Sequence, residues 1–251
     1  MKICRWLIFL CLLTCSGLYV PGAEVTVFAA ASLADALKEI APLYAKATGD
    51  TLRFNFGASG ALARQIKEGA PADVIFSADE LRVDQLEKAG LLLPTTRRTV
   101  LANTLVIVVA SDGGAPVKTL DDLAKVDVKR IAIGEPATVP VGTYTKEYLQ
   151  KTGHWKKLID KLVPLDTVRA ALAAVESGNA EAGFVYKTDA LISKKVKIAI
   201  EVPLADGPKI TYPIAVLKEA KQPEASKALV GFIAGPDAQK VFAKFGFLPP
   251  N

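Results

Sequence analysis

The chain has 251 residues, of which 51% are hydrophobic and 23% are charged, and its formal net charge is +5 at pH 7. This length and apolar content are typical of one large or two small globular domains with ample core. The positive charge is a mild excess spread along the chain, which excludes the dense basic patch of a nucleic-acid-binding protein.

Residues 1–23 have the pattern of a secretory signal peptide. A short basic segment at 1–5 precedes an almost wholly apolar run at 6–13, and small residues follow. The apolar run is too short to span a membrane as a helix, and cleavage after Gly22 or after Ala23 fits equally well. We therefore expect a periplasmic protein.

All three cysteines, Cys4, Cys11 and Cys15, lie within this predicted signal peptide. The mature chain would then have no disulfide, no thiol nucleophile and no thiolate metal site. Lipid attachment at Cys15 is disfavoured, because Thr14 stands where a lipoprotein signal has Gly, Ala or Ser.

Strand-like and helical patterns alternate from residue 25 onward. The strand-like runs lie at 25–29, 52–56, 74–77, 105–110, 130–133, 182–185, 197–200 and 210–216. The helical patterns lie at 33–44, 61–68, 83–89, 143–151, 155–161, 167–177, 221–233 and 237–245. This alternation predicts an α/β fold with mainly parallel sheets and helices on both faces.

Two strand-to-helix junctions carry a serine, Ser32 after the first strand and Ser59 after the second. In each, an apolar run ends in small residues and a helical pattern follows, so we expect the serine to be the N-cap of the helix. The unpaired N–H groups and the positive dipole end of a helix also favour an anion at this place. Two such junctions can converge on one anion.

Segments 72–79 and 182–189 share a plan of a small residue, a buried strand, a polar residue and then aspartate. The likeness is either common to α/β strand ends or a sign of two similar lobes. In the second case Ser77 and Tyr186 would lie at corresponding strand ends and face a shared cleft, because ligands bind at the carboxyl ends of such strands.

Seven longer motifs are distributed along the chain: VFAAASL at 27–33, GASGALARQI at 57–66, GAPADVIFSAD at 69–79, GEPATVPVGTY at 134–144, DTVRAALAAVESG at 166–178, GFVYKTDA at 183–190 and FAKFGF at 242–247. Together they resemble the periplasmic molybdate-binding proteins of ATP-driven oxyanion importers, which have the type II periplasmic binding protein fold. The motifs span essentially the whole mature chain.

The resemblance implies two Rossmann-like lobes with a ligand cleft between them, the first formed by 24–102 and 211–251 and the second by 103–210, with two crossovers. It implies a tetrahedral dianion, molybdate or tungstate, held by neutral donors. Carried over by position, these are the hydroxyl and backbone N–H of Ser32 and Ser59, the backbone N–H of Val141 and Val168, and the phenol of Tyr186. Val141 stands where the family often has alanine, and Gly60 where it often has serine.

The resemblance also implies a monomer that delivers its ion to an inner-membrane ABC permease with a cytoplasmic ATPase, without catalysis or a cofactor. Sulfate remains chemically possible with the same donors. Phosphate would require a carboxylate acceptor, and iron(III) would require several tyrosines or a histidine. We expect no metal bound directly by protein side chains, since the sequence has one histidine and no acidic cluster of calcium-loop spacing.

A serine hydrolase is the remote alternative. Residues 57–61 are similar to the G-x-S-x-G nucleophile elbow, but Ala61 replaces the last glycine. The single histidine, His154, lies in a polar connection where an ordinary surface role is expected.

Arg64 and Arg169 follow the site serine and Val168 closely, and we expect surface exposure or salt bridges for them rather than a role in the cleft. Asp73, Asp79 and Asp189 are interpreted as strand-end caps and loop anchors.

Overall fold

The computed structural model describes residues 22–250. The predicted signal peptide and its three cysteines therefore lie outside the described residues, apart from positions 22 and 23. Among residues 22–250, no helix combines the length and the apolar character that crossing a membrane requires.

Ten strands are present in the described chain: β1 (Glu24–Ala30), β2 (Thr51–Gly57), β3 (Val74–Phe76), β4 (Arg98–Asn103), β5 (Leu105–Ala110), β6 (Ile131–Gly134), β7 (Leu162–Leu165), β8 (Ala182–Tyr186), β9 (Val196–Glu201) and β10 (Ile210–Val216). They form two five-stranded sheets. Sheet one has the order β2-β1-β3-β10-β4, and sheet two has the order β7-β6-β8-β5-β9.

The helices are α1 (Ala34–Thr48), α2 (Ser59–Lys67), α3 (Glu80–Lys88), α4 (Pro140–Lys151), α5 (Trp155–Leu158), α6 (Val168–Glu176), α7 (Lys187–Leu191), α8 (Pro223–Ile233) and α9 (Pro236–Lys244). Three 3-10 turns occur at Ala31–Leu33, Leu120–Ala124 and Ile159–Lys161. Sheet one with α1–α3, α8 and α9 forms the first lobe, and sheet two with α4–α7 forms the second.

Local sequence explains where several helices begin and end. Helices α4, α8 and α9 start with proline. The first residue of a helix donates no intrahelical hydrogen bond, so the absence of an N–H in proline costs nothing there. Helix α1 ends at Gly49, whose φ of 82° is the left-handed conformation that glycine adopts without steric cost.

The two sheets share one topology. In each, four strands run in the same direction and one is reversed, namely β10 in sheet one and β5 in sheet two. The prediction of mainly parallel sheets is confirmed in this sense. The reversed strands occupy the same place in the two sheet orders.

Strands β3 and β8 also occupy equivalent places, so the likeness between 72–79 and 182–189 reflects two similar lobes. The detailed pairing differs from the prediction by one residue. Strand β3 ends at Phe76 and β8 ends at Tyr186, so Tyr186 corresponds to Phe76 and not to Ser77.

Strands β4 and β7 were not among the predicted elements. Both are edge strands of their sheets. Strand β7 is only half-buried and contains Pro164, which an edge strand tolerates because one side of it makes no ladder bonds. Its apolar pattern is therefore too weak to identify it from sequence.

The chain crosses between the sheets at two places. A single residue, Thr104, separates β4 from β5, and residues 202–209 connect β9 to β10. One continuous cluster of buried apolar side chains includes residues from both sheets. The two lobes are thus packed together in this structure.

Candidate functional site

All five predicted site residues line one small cavity between the lobes. The space inside it that a water-sized sphere can occupy is about 10 Å³, roughly enough for one water molecule. The five are buried. The lining residues are Ala30, Ala31, Ser32, Gly57, Ala58, Ser59, Ala78, Val139, Pro140, Val141, Thr167, Val168 and Tyr186.

Three helices begin at this cavity. Ser59 is the first residue of α2, Val141 the second of α4 and Val168 the first of α6. Backbone N–H groups in the first turn of a helix have no intrahelical acceptor, and the helix dipole adds partial positive charge there. Together the three helix starts make the cavity favourable for an anion.

The two serines do not cap their helices, so that prediction was wrong. The N-cap of α2 is Ala58, and Ser32 lies inside the 3-10 turn that precedes α1. Their hydroxyls bond to distant residues instead: Ser59 Oγ accepts the backbone N–H of Ala78 at 3.0 Å, and Ser32 Oγ lies 3.1 Å from Tyr212 Oη. Helix α6 does have a side-chain cap, since Thr167 Oγ1 accepts the N–H of Ala170.

Because Ser59 Oγ already accepts a bond from the protein backbone, its own hydroxyl hydrogen is available to a ligand in the cavity. A hydroxyl in this state is a donor toward the cavity. This matches the requirement of an anion, which offers only acceptor atoms.

Tyr186 is the last residue of β8, and its side chain is 1% exposed. Its hydroxyl has no hydrogen-bond partner in the described chain. Burial, reinforced by nearby acidic and phenolic groups, holds the pKa of Tyr186 well above its usual value, so the group stays a protonated donor. A buried donor left without an acceptor is costly unless a ligand supplies one.

The cavity lining contains no charged side chain. Arg64 is exposed as expected and lies 4.0 Å from Glu68. Arg169 forms salt bridges as expected, 2.7 Å from Asp35 and 2.6 Å from Asp189, but the pair with Asp35 joins the two lobes across the cleft.

Contacts across the cleft hold the two lobes together around the cavity. They include one backbone hydrogen bond, two side-chain hydrogen bonds to backbone carbonyls and one ion pair. These are Gly60 N–H to Thr138 O at 3.0 Å, Arg82 Nη2 to Ala137 O at 2.7 Å, Tyr144 Oη to Ala78 O at 3.4 Å, and Arg169 Nη2 to Asp35 Oδ2 at 2.7 Å.

The three aspartates have different roles. Asp79 caps α3 by accepting the N–H of Arg82, and Asp73 accepts backbone N–H groups from separate segments, among them that of Thr26. Both match the prediction. Asp189 does not, because it lies within α7, fully buried, and pairs with the guanidinium of Arg169.

Asp189 should make stability depend on pH. Burial raises its pKa to about 6 although Arg169 lowers it, so the folded state binds this proton more tightly than the unfolded state. The contribution is fully present below the unfolded value of about 3.9 and is lost as pH rises through about 6. We expect the free energy of unfolding of the native chain to fall relative to Asp189→Asn between these values. Urea titrations of both proteins at several pH values measure this, and parallel pH profiles would contradict it.

The hydrolase alternative finds no support in the geometry. His154 Nε2 lies 3.3 Å from Asp121, and His154 is not among the residues that line the cavity with Ser59. Within residues 22–250, no group of three or more His, Cys, Asp or Glu side chains is arranged to hold a metal ion.

Sequence reasoning missed the residues that support the site from behind. Tyr212, Asn103 and Thr188 form a buried hydrogen-bonded group next to Ser32. They come from β10, β4 and α7, which are far apart in the chain, and no local pattern indicates that they meet. Thr138, which closes over Gly60, acts through its backbone carbonyl and so has no side-chain signal.

Comparison with known proteins gives consistent matches over nearly the whole chain. The model of a family described as bacterial extracellular solute-binding protein matches residues 25–248. The chain is 41% identical to YvgL of Bacillus subtilis (strain 168), provisionally named an ABC transporter substrate-binding lipoprotein, over 89% of this chain and 85% of YvgL. It is 40% identical to the molybdate-binding protein ModA of Escherichia coli (strain K12), over 89% of this chain and 88% of ModA.

A solved structure agrees with these matches. The Azotobacter vinelandii periplasmic molybdate-binding protein superposes with a TM-score of 0.82 at 27% identity, covering 91% of this chain and 100% of that protein.

Proposed function

This chain belongs to the family of bacterial extracellular solute-binding proteins, and we propose that the ion it captures, molybdate, is bound in the cavity between the lobes. It is the substrate-binding protein of an ABC transporter and not an enzyme. We propose as ligands the hydroxyl and N–H groups of Ser32 and Ser59, the N–H groups of Val141 and Val168, and the phenol of Tyr186.

The observation that carries this assignment is the buried Tyr186 hydroxyl, which has no acceptor in the described chain although it borders the cavity. A desolvated dianion must have its lost hydration replaced by converging donors. Three helix N-termini, the Ser59 hydroxyl and the Tyr186 phenol supply donors without a counter-charge. Neutral donors at fixed positions select an anion by its size and geometry.

Ligand capture is proposed to close the lobes about the two crossovers. The lobes would be 24–102 with 211–251, and 103–210, and the bound ion would favour the closed state by contacting both. The ABC transporter family implies delivery to a membrane permease driven by an ATPase. We propose that the protein acts as a monomer in the periplasm and also accepts tungstate.

Calorimetric titration with molybdate, tungstate, sulfate and phosphate tests the ligand. We expect molybdate and tungstate to bind tightly, sulfate more weakly and phosphate most weakly of the four. Sulfate binding as tightly as molybdate would refute the substrate assignment, and the absence of binding by all four would refute the site.

A further inference from the structure

We propose that Tyr212 and Asn103 are positioning residues that fix the Ser32 hydroxyl as a donor toward the bound anion, which makes the site select a fully deprotonated oxyanion. This inference rests on the proposed function, because it concerns how the Ser32 ligand is held. Neither residue lines the cavity.

The orientation of the Asn103 amide follows from its neighbours. Its Oδ1 accepts the backbone N–H of Thr104 at 2.8 Å, which places Nδ2 toward Thr188 Oγ1 at 2.9 Å and Tyr212 Oη at 3.1 Å. An amide nitrogen can only donate, so Asn103 donates to the phenol oxygen of Tyr212. All four residues are buried, which leaves no bulk water to compete.

Tyr212 then has one hydrogen of its own to donate. Burial raises the pKa of Tyr212 far above its usual value, so the hydroxyl keeps this hydrogen. Within residues 22–250 its hydroxyl contacts two polar groups, Asn103 Nδ2 and Ser32 Oγ at 3.1 Å, and only Ser32 can accept. The hydrogen bonds therefore run from Asn103 through Tyr212 to Ser32.

The direction of this chain of bonds determines what Ser32 offers to the ligand. Because Ser32 Oγ accepts from Tyr212, the Ser32 hydrogen is left for the cavity. Ser59 is in the same state, since its Oγ accepts the N–H of Ala78. A proton on the oxyanion would meet these donor hydrogens rather than a free acceptor, and it would compete for serine oxygens that already accept a donor from the protein.

Tyr212 also contacts Tyr186, the phenol proposed as a ligand from the second lobe. Its ring packs edge-on against Tyr186 with the centroids 6.0 Å apart, and against Phe247 at 5.4 Å. Replacing Tyr212 by phenylalanine keeps these ring contacts and removes only the hydroxyl. This substitution therefore tests the hydrogen-bond role apart from packing.

A double-mutant cycle in molybdate affinity tests the proposal. Titrations compare the native chain, Tyr212→Phe, Ser32→Ala and the double variant, with molybdate and with hydrogen phosphate near neutral pH. We expect Tyr212→Phe to weaken molybdate binding about 3- to 10-fold in the native background. In the Ser32→Ala background we expect the same substitution to weaken molybdate binding less than about twofold, because Tyr212 acts on the ligand only by orienting the Ser32 hydroxyl. The ratio of phosphate to molybdate affinity should rise in Tyr212→Phe.

Asn103→Asp provides a second variant with the same shape. A carboxylate would accept from Tyr212, which would turn Ser32 into a donor to Tyr212 and withdraw its hydrogen from the anion. The added charge repels a dianion in both backgrounds, so the cycle with Ser32→Ala isolates the reversal. We expect a much larger loss of affinity with Ser32 present than without it.

Tyr44→Phe is the matched control, since Tyr44 is also fully buried but its hydroxyl donates to Ala225 O away from the cavity. It should leave both affinities unchanged. Losses that add in the Ser32→Ala background, or an unchanged phosphate-to-molybdate ratio, would overturn the positioning role while leaving the proposed function intact. A native chain that binds no molybdate would instead refute the proposed function itself.

Discussion

Ser59→Ala should weaken molybdate binding by about 1.5–3 kcal/mol, the range for a hydrogen bond to a charged group. The Ser59 side chain is fully buried at the start of α2, and its oxygen is already held by the N–H of Ala78. Its hydrogen therefore points to the ligand without any rearrangement on binding. Alanine keeps the helix start and its backbone N–H, so the loss measured by calorimetry reports the hydroxyl.

The same substitution leaves the N–H of Ala78 without its acceptor, and so it also lowers the stability of the ligand-free protein. Ser226→Ala is a suitable control, because Ser226 is equally buried but its hydroxyl donates to the carbonyl of Gln222, the residue that precedes α8. Both variants should lose some free energy of unfolding in urea titrations. Only Ser59→Ala should lose affinity, and equal affinities in the two would remove Ser59 from the binding site.

Gly60→Ala should weaken binding about 10- to 100-fold by keeping the lobes from closing fully. A Cβ on Gly60 would lie 2.4 Å from Thr138 O and 3.0 Å from Thr138 C and Cα. These are backbone atoms of the facing lobe, so no side-chain rotation relieves the overlap. The lobes must move apart, which also breaks the 3.0 Å hydrogen bond from Gly60 N–H to Thr138 O. A related protein with a side chain at the position of Gly60 needs a larger distance between this helix start and the backbone that faces it at Thr138.

Folding of each lobe should tolerate this change, because the overlap exists only where the lobes meet. Calorimetry gives the affinity, thermal melting of the ligand-free protein gives the stability, and small-angle scattering with saturating molybdate gives the degree of closure. Gly231→Ala serves as the control, since a Cβ at Gly231 in α8 meets no atom within 4 Å. Native affinity and a native scattering profile in Gly60→Ala would show that closure does not need the glycine.

The sequence brought together the five residues that line the cavity, but it did not describe their hydrogen bonds. The start of α6 at Val168 and its Thr167 cap follow from local residue preferences, which act over one helical turn. Both serines line the cavity, but their hydroxyls bond to Tyr212 and to the Ala78 backbone rather than to their own helices. Side-chain preferences at a helix start say nothing about a partner 180 residues away.

The remaining elements of the site depend on how the lobes meet. The hydrogen bond between Gly60 and Thr138 uses backbone atoms alone, and the group around Asn103 joins β4 and β10 of sheet one to helix α7 of the second lobe. Contacts of this kind are set by the tertiary arrangement and leave little trace in a local window of sequence.

The position of β10 has a consequence for how the chain is made. This strand pairs with both β3 and β4, so sheet one has a gap beside its centre until residues 210–216 exist. All five strands of sheet two, by contrast, come from one uninterrupted stretch that ends at Glu201. During synthesis the second lobe can therefore assemble before the first, although the first begins earlier in the chain. The first lobe cannot complete its sheet until nearly the entire polypeptide is available.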